Sequence, residues 1–242
     1  NARKALDTLL LANGRVTEVE PALTRQLTQA RQAGTLDTAY PQLQEKLLNL
    51  PDRRAAWALA QRLSASDLDN IQARLMRARL AHEAGQQQAA TDEALAAHQL
   101  APDNIEAVLA SVQLLQSRPG GRQRAAVLLG NYLQKHPDDL RALKAQGLLQ
   151  IASEQNDAAI ATLSRVQSLE PDNPATLYTL AQLHHQKRDY ARATEALQRY
   201  VALPEDIERD NGNAFLFLSE IAQKQNDQAG AIQWLERVPT NS

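Results

Sequence analysis

Cysteine is absent from the 242 residues, methionine occurs once, and Phe, Tyr and Trp together make up only 4%. The missing cysteine excludes disulfides, thiolate metal sites and cysteine nucleophiles together. The scarcity of aromatics argues against one large core, which ordinarily takes much of its buried area from those side chains. An excess of one charge is lacking too. Lys and Arg number 26 against 28 Asp and Glu, a net charge of -2, which is not the basic footprint of a nucleic-acid binder. No apolar run approaches the ~18 residues that a bilayer-spanning helix requires. What is present is Ala, Leu, Gln and Arg, mostly strong helix formers. Arg outnumbers Lys 20 to 6, a bias that suits a GC-rich bacterial genome. The chain opens Asn1-Ala2 without an initiator Met and shows no signal peptide, as expected of a processed or trimmed piece.

Division by a period is more informative than the composition. Four Pro-acid pairs, Pro102-Asp103, Pro137-Asp138, Pro171-Asp172 and Pro204-Glu205, are spaced 35, 34 and 33 apart. Between them lie paired amphipathic stretches separated by polar breaks, such as Ala84-Gly85-Gln86, Pro119-Gly120-Gly121, Gln155-Asn156-Asp157 and Lys187-Arg188-Asp189. Apolar residues recur at three- and four-residue steps, as in Leu177, Leu180, Ala181 and His184, which is helical spacing. A second marker runs in the same phase. Ala55, Ala90, Ala125, Ala159, Ala193 and Ala231 open the second helices at intervals of 35, 35, 34, 34 and 38, and Val19 lies one step before them. Four residues after each marker stands an apolar residue: Leu23, Leu59, Ala94, Leu129, Leu163, Leu197 and Leu235. The facing first-helix position is small at Ala78, Gly147, Ala181 and Ser219. A close helix crossing explains the small residues, and the next turn fills the core between repeats. Asn173 is placed to cap the helix that begins at Pro174, and Asp103-Asn104 and Asp138-Asp139 are placed to cap theirs.

These residues resemble a tetratricopeptide-repeat array, the fit being closest over Asn173–Pro204 and nearly as close from Phe215 to Val238. The resemblance implies an all-α fold, a right-handed superhelix (an α-solenoid) of about seven helix-turn-helix repeats. Two divergent hairpins are expected over 1–69, where Pro41 and Pro51 interrupt the pattern, and five repeats over about 70–102, 103–137, 138–171, 172–204 and 210–240. The 38-residue interval places an insertion in Glu205–Asn213, expected to be a surface loop. An array that begins inside a first helix and stops after a second helix is expected to be a fragment of a longer chain. Its uncapped ends would be covered by further repeats or by homo-association.

No catalytic arrangement stands out, and neither an enzyme nor a cofactor is expected. His82, His98, His136, His184 and His185 lack the spacing of metal ligands, and Gly120-Gly121 lacks the Lys-Ser/Thr ending of a phosphate loop. His184 is expected to pack inside its repeat and His185 to face the open side. Trp57 and Trp234 read as packing residues. Arg74, Arg77 and Arg79 read as a solvated helix face.

In the family the first helices line a concave groove. The phase of the alanines puts Tyr40 and Gln44; Leu75, Arg79 and His82; Ala110, Leu114 and Arg118; Arg141, Lys144, Leu148 and Ile151; Tyr178, Gln182 and His185; and Leu216, Glu220 and Gln223 on that face. Such a groove suits an extended peptide or a helix of a protein partner. Arg141 and Lys144 are expected to hold an acidic group, with Tyr178 as an aromatic anchor. The family's chaperone clamp needs an Asn at the ninth position of the first helix. Here Gln44, Arg79, Leu114, Leu148, Gln182 and Glu220 stand there, which speaks against it. The expected function is a protein-binding scaffold or adaptor. The alternatives are a self-assembling array, or a regulatory segment of a larger enzyme or of a secretion or polysaccharide-export machine. The final unit and the Pro-interrupted second unit are similar to adaptor lipoproteins of Gram-negative envelopes. That similarity implies a periplasmic location anchored at the outer membrane rather than a cytoplasmic one.

Overall fold

The computed structural model describes residue 10 and residues 13–204, 207 and 209–239. Among these residues every regular element is an α-helix, thirteen in all. They fall into two compact units, Asn1–Lys135 and His136–Ser242. The first unit holds α1 (Val16–Ala33), α2 (Leu36–Leu48), α3 (Arg53–Leu63), α4 (Ile71–Glu83), α5 (Gln87–Leu100), α6 (Ile105–Gln116) and α7 (Gly121–Lys135). The second holds α8 (Leu140–Ala152), α9 (Asn156–Leu169), α10 (Pro174–Gln186), α11 (Tyr190–Val201), α12 (Asn211–Lys224) and α13 (Gln228–Leu235).

Capping chemistry sets where each hairpin begins and turns. The side chains of Asn104, Asp139 and Asn173 accept the backbone amides of Ala107, Ala142 and Thr176 at 3.0–3.1 Å, closing the first turns of α6, α8 and α10. Asp103 and Asp138, the neighbours in two of those pairs, instead take Lys135 at 2.8 Å and Arg165 at 2.7 Å. Asp189 and Asp227 cap the second helices α11 and α13. At the turn inside each of the last five hairpins one residue takes left-handed backbone geometry: Gly85, Gly120, Glu154, Arg188 and Asn226, with φ between 59° and 74°. Each stands five residues before its marker alanine, so the turn repeats in the same phase as the core. At Glu154, Arg188 and Asn226 the following amide bonds back to the carbonyl of Gln150, His184 or Ala222, the Schellman closure of a helix end.

Packing follows the repeat. In the first unit α4 pairs with α5, α5 with α6, and α6 with α7; in the second each helix packs on the next from α8 to α13. The marker alanines from Ala90 onward are buried, as are Leu59, Ala94, Leu129, Leu163 and Leu197 four residues further along. Gly147 fits the small-residue rule closely, because a β-carbon there would come 2.8 Å from Cδ2 of Leu163. Stability therefore arises from layers of Leu and Ala between neighbouring helices, which a chain poor in aromatics can supply.

The Pro-interrupted region is built differently. Pro21 and Pro41 both lie inside helices, and α2 and α3 each lean on α4 more than on one another. The first helix of the earliest expected hairpin falls largely outside the described residues. Arg31 forks onto the buried Asp67 with two bonds of 2.8 Å, and the Tyr40 hydroxyl donates to the same carboxylate. Tyr40, expected in the groove, is thus wholly buried. Arg74 and Arg77 correct a second expectation. They are not solvated but close on the buried Glu93 at 2.7 Å and 2.5 Å, with Arg77 also 5.6 Å from the Trp57 ring.

The insertion before α12 is tied down by Arg209. Its guanidinium donates to the carbonyls of Leu203 at 2.5 Å, Pro204 at 2.6 Å, Ile207 at 3.0 Å and Val201 at 3.3 Å. Glu205, Asp206 and Glu208 lie outside the described residues.

Candidate functional site

The candidate groove residues of the first unit are engaged by their own chain. Arg79 pairs with Glu83 at 3.1 Å, and His82 Nδ1 lies 3.3 Å from Gln87 Oε1. Leu114 is 8% exposed and belongs to the hydrophobic core of that unit. Arg118 donates to Thr91 and Gln88.

The second unit presents its candidates differently. Its first helices α8, α10 and α12 carry Arg141, Gln182 and Glu220 exposed to solvent. Leu148 is 61% and Leu216 is 46% exposed, an unusual state for leucine at two equivalent faces of a repeat. Arg141 enters no hydrogen bond or ion pair among the described residues. Lys144, in contrast, spends its charge on Glu170 Oε2 at 2.5 Å, and Asn173 donates to the same oxygen at 3.1 Å. Among the described residues of this face, Arg141 is therefore the cation without a partner, where the sequence suggests two.

Helical spacing of four and three residues puts Tyr178, Gln182 and His185 on one side of α10. Tyr178 rests 5.4 Å from the Tyr200 ring and 6.0 Å from Phe217, both tilted by 56°. His185 lies 5.1 Å from Phe217 and 5.5 Å from Tyr190. Its Nε2 is 3.6 Å from Glu220 Oε1. Tyr178 and His185 thus meet at Phe217, which the sequence reading does not single out, and Glu220 stands beside His185. Phe217 directly follows an inward-phased leucine and is one of only two Phe in the chain, the signals that could have found it. Burial pushes the Tyr178 hydroxyl above its ordinary range, so it stays protonated as a hydrogen-bond donor.

The other side of α10 carries Leu180 and His184. His184 is buried, and burial lowers its affinity for a proton, so it packs as a neutral ring. A cavity of about 360 Å³ opens there, lined among others by Ser164, Gln167, His184, Arg192, Glu195 and Arg199. Sequence phasing overlooks it because it weighs first-helix positions alone. Among the described residues no group of three or more His, Asp or Glu stands close enough to hold a metal ion, and no helix is long and apolar enough to cross a membrane.

Residues 150–208 match the family model for the tetratricopeptide repeat. No curated protein matches the chain. Among solved structures, one titled MamA protein superposes with a TM-score of 0.60 at 14% identity, over 69% of this chain and 89% of that one. PilW, titled a widely conserved type IV pilus biogenesis factor, gives 0.58 at 17% identity over 89% and 90% of the two chains. PilF of Pseudomonas aeruginosa gives 0.58 at 17% identity over 93% and 94%. Helix hairpins in 34-residue phase, small residues at their crossings and these matches agree on the fold, that of a tetratricopeptide-repeat solenoid, with residues 150–208 matching the repeat itself.

Proposed function

We propose that this chain is a non-enzymatic interaction scaffold that holds a segment of a protein partner across α8, α10 and α12 of the second unit. One observation carries the reading. Leu148 and Leu216 stand exposed on the first helices α8 and α12, with Arg141 exposed two turns before Leu148 on α8 and the half-buried ring of Phe217 next in the chain after Leu216. Apolar ledges with a small number of charges are what a groove needs to hold a peptide in a fixed register. The corresponding face of the first unit has its charges and its Leu114 occupied internally, which favours the second unit as the receptor. PilW is described as a type IV pilus biogenesis factor, and that likeness supports a place for this chain in an assembly of the bacterial envelope.

The test is site-specific photocrosslinking in cells. A photoreactive residue at Leu148 or at Leu216 should trap the same protein, and one at Val127 on α7 should not. Combining Arg141→Glu, Leu148→Ser and Leu216→Ser changes only exposed side chains and should abolish the adduct formed from a probe at Gln182. An undiminished adduct would sink the reading.

A second reading has its own support at the end of α13. Leu197 and its earlier equivalents are buried, whereas Leu235, in the same phase, is 45% exposed, and Ile232 beside it is exposed too. That face fits a second copy of the chain. Sedimentation should show a concentration-dependent mass that Leu235→Glu removes, and a monomer at high concentration excludes it.

A further inference from the structure

We propose that the α12 end of this face is a receptor for a basic side chain of the partner, an arginine or a lysine. The side chain would lie against Tyr178 and Phe217 with the Glu220 carboxylate as its counter-ion. The inference rests on the reading that the partner lies along the first helices of the second unit.

The aromatic residues of this chain are few, yet Tyr178, Tyr190, Tyr200, Phe215, Phe217 and Trp234 all fall in its last 65 residues. Tyr190 and Phe217 lie against His185, and Tyr178 lies against Tyr200 and Phe217, at ring separations between 5.1 and 6.0 Å. The rings of Tyr178 and Phe217 meet at 56° rather than stacking face to face. Both are half-buried, which fixes them in place and leaves part of each ring to solvent. A ring face carries partial negative charge and attracts a cation placed over it.

Glu220 adds full negative charge at the same place. Its side chain is 54% exposed, and among the described residues its one ion-pair partner is His185, 3.6 Å away and beyond hydrogen-bond reach. The carboxylate thus keeps its acceptor positions for an incoming donor. Each other class of side chain fits less well. An aliphatic group would cover the rings but strip water from Glu220 without replacing its hydrogen bonds. An acidic group would face both the carboxylate and the negative ring faces. A guanidinium satisfies rings and carboxylate together, because its plane stacks and its edge donates.

The α8 end has the opposite sign. Glu170 neutralises Lys144, and Arg141 is left as a free cation. The face is therefore polarised, positive at α8 and negative at α12. It selects a segment that carries an acidic residue toward Arg141 and a basic one toward Glu220. Such complementarity fixes the direction in which the segment lies.

The experiment uses the full chain as the target for selection from a displayed library of random dodecapeptides. Selected peptides should be enriched in Arg or Lys, and their affinity should fall about tenfold with Glu220→Gln, the loss of one charged contact. Selection against Glu220→Arg should enrich Asp or Glu instead. Tyr178→Phe should leave the affinity in place, since the ring and not the hydroxyl meets the cation. Peptides that depend on Arg141 and Leu148 but bind Glu220→Arg as tightly as the parent protein would overturn the basic-residue receptor and leave the scaffold reading standing. Peptides indifferent to Arg141, Leu148, Leu216 and Glu220 alike would overturn both, as would a selection that enriches nothing.

Discussion

Gly147 and Leu163 meet where α8 crosses α9, so closely that a β-carbon on Gly147 would stand 2.8 Å from Cδ2 and 3.0 Å from Cγ of Leu163. Leu163 is buried and has little room to withdraw. Gly147→Ala should gain ~1 kcal/mol of helix propensity and lose a similar amount in displacing the leucine end, for a net change within ~1 kcal/mol. Gly147→Leu cannot be absorbed by one rotamer and should cost ~2–3 kcal/mol. Trp234 lies in the second unit and Trp57 in the first. Urea unfolding of a Trp57→Phe background therefore reads the second unit directly.

The left-handed residues make a second, opposite prediction. Glu154 and Arg188 hold φ of 59° and 61°, where a β-carbon crowds the neighbouring carbonyl. The equivalent positions in the first unit are Gly85 and Gly120, which adopt that geometry without the crowding. Glu154→Gly and Arg188→Gly should each stabilise the second unit by ~0.5–1 kcal/mol, the relief of ~1–2 kcal/mol of strain less the greater entropy glycine brings to the unfolded chain. Asn226→Gly should gain less, since Asn visits this region readily. A lower urea midpoint in Glu154→Gly would contradict the assignment.

The repeat was legible in the sequence because its signals are local and periodic. Ala159 and Leu163 read as a core pair from spacing alone, and Asn173 reads as a cap from the Pro after it. What was hidden depends on partners far along the chain. Lys144 is 26 residues from Glu170, and no helical period links them, so the loss of its charge is invisible before folding. Tyr40 has the right phase for the groove, but Asp67 and Arg31 draw it inward in a region where Pro41 disturbs the hairpin. Phe217 escaped notice because groove phasing favours Leu216, and the ring cluster forms only when α10, α11 and α12 pack.

The buried Asp67 predicts how the first unit responds to pH. The bond from Arg31 holds its carboxyl below the usual range, against the burial that would raise it, and the Tyr40 hydroxyl adds to that effect. A lowered folded pKa contributes stability that is present above the unfolded value of ~3.9 and lost as pH falls through the folded one. Tyr40 has the opposite sign. Burial first, and then its bond to Asp67, raise its hydroxyl above the ordinary range, so its contribution is present below pH ~10 and lost as pH climbs. Tyr40→Phe should remove the alkaline loss and cost ~1 kcal/mol at neutral pH. Asp67→Asn should flatten the acid limb and cost ~2–3 kcal/mol, because it weakens a charged hydrogen bond at a buried site. Thermal unfolding followed by Trp57 in a Trp234→Phe background, repeated from pH 3 to 11, checks both limbs.

Arg209 binds the described residues at both ends of the connection between α11 and α12. Its guanidinium collects the carbonyls of Val201, Leu203, Pro204 and Ile207, and its Nε donates to Asn211 Oδ1 at 3.0 Å. These carbonyls close the end of α11 and lead into α12, so one side chain ties two helices across the lengthened repeat. The amide of Asp210 donates to the Tyr200 hydroxyl at 3.0 Å and fixes the other side of the turn. Arg209→Ala should therefore cost ~1–3 kcal/mol, the loss of charged hydrogen bonds partly replaced by water. Arg209→Lys should rescue little, because a single ammonium cannot span acceptors arranged for a planar fork. Hydrogen exchange supplies the local readout. The Asp210 amide and those of the first turn of α12 should exchange faster in Arg209→Ala, while the amides of α8 keep their protection. Unchanged exchange at Asp210 would show that the turn holds without the guanidinium.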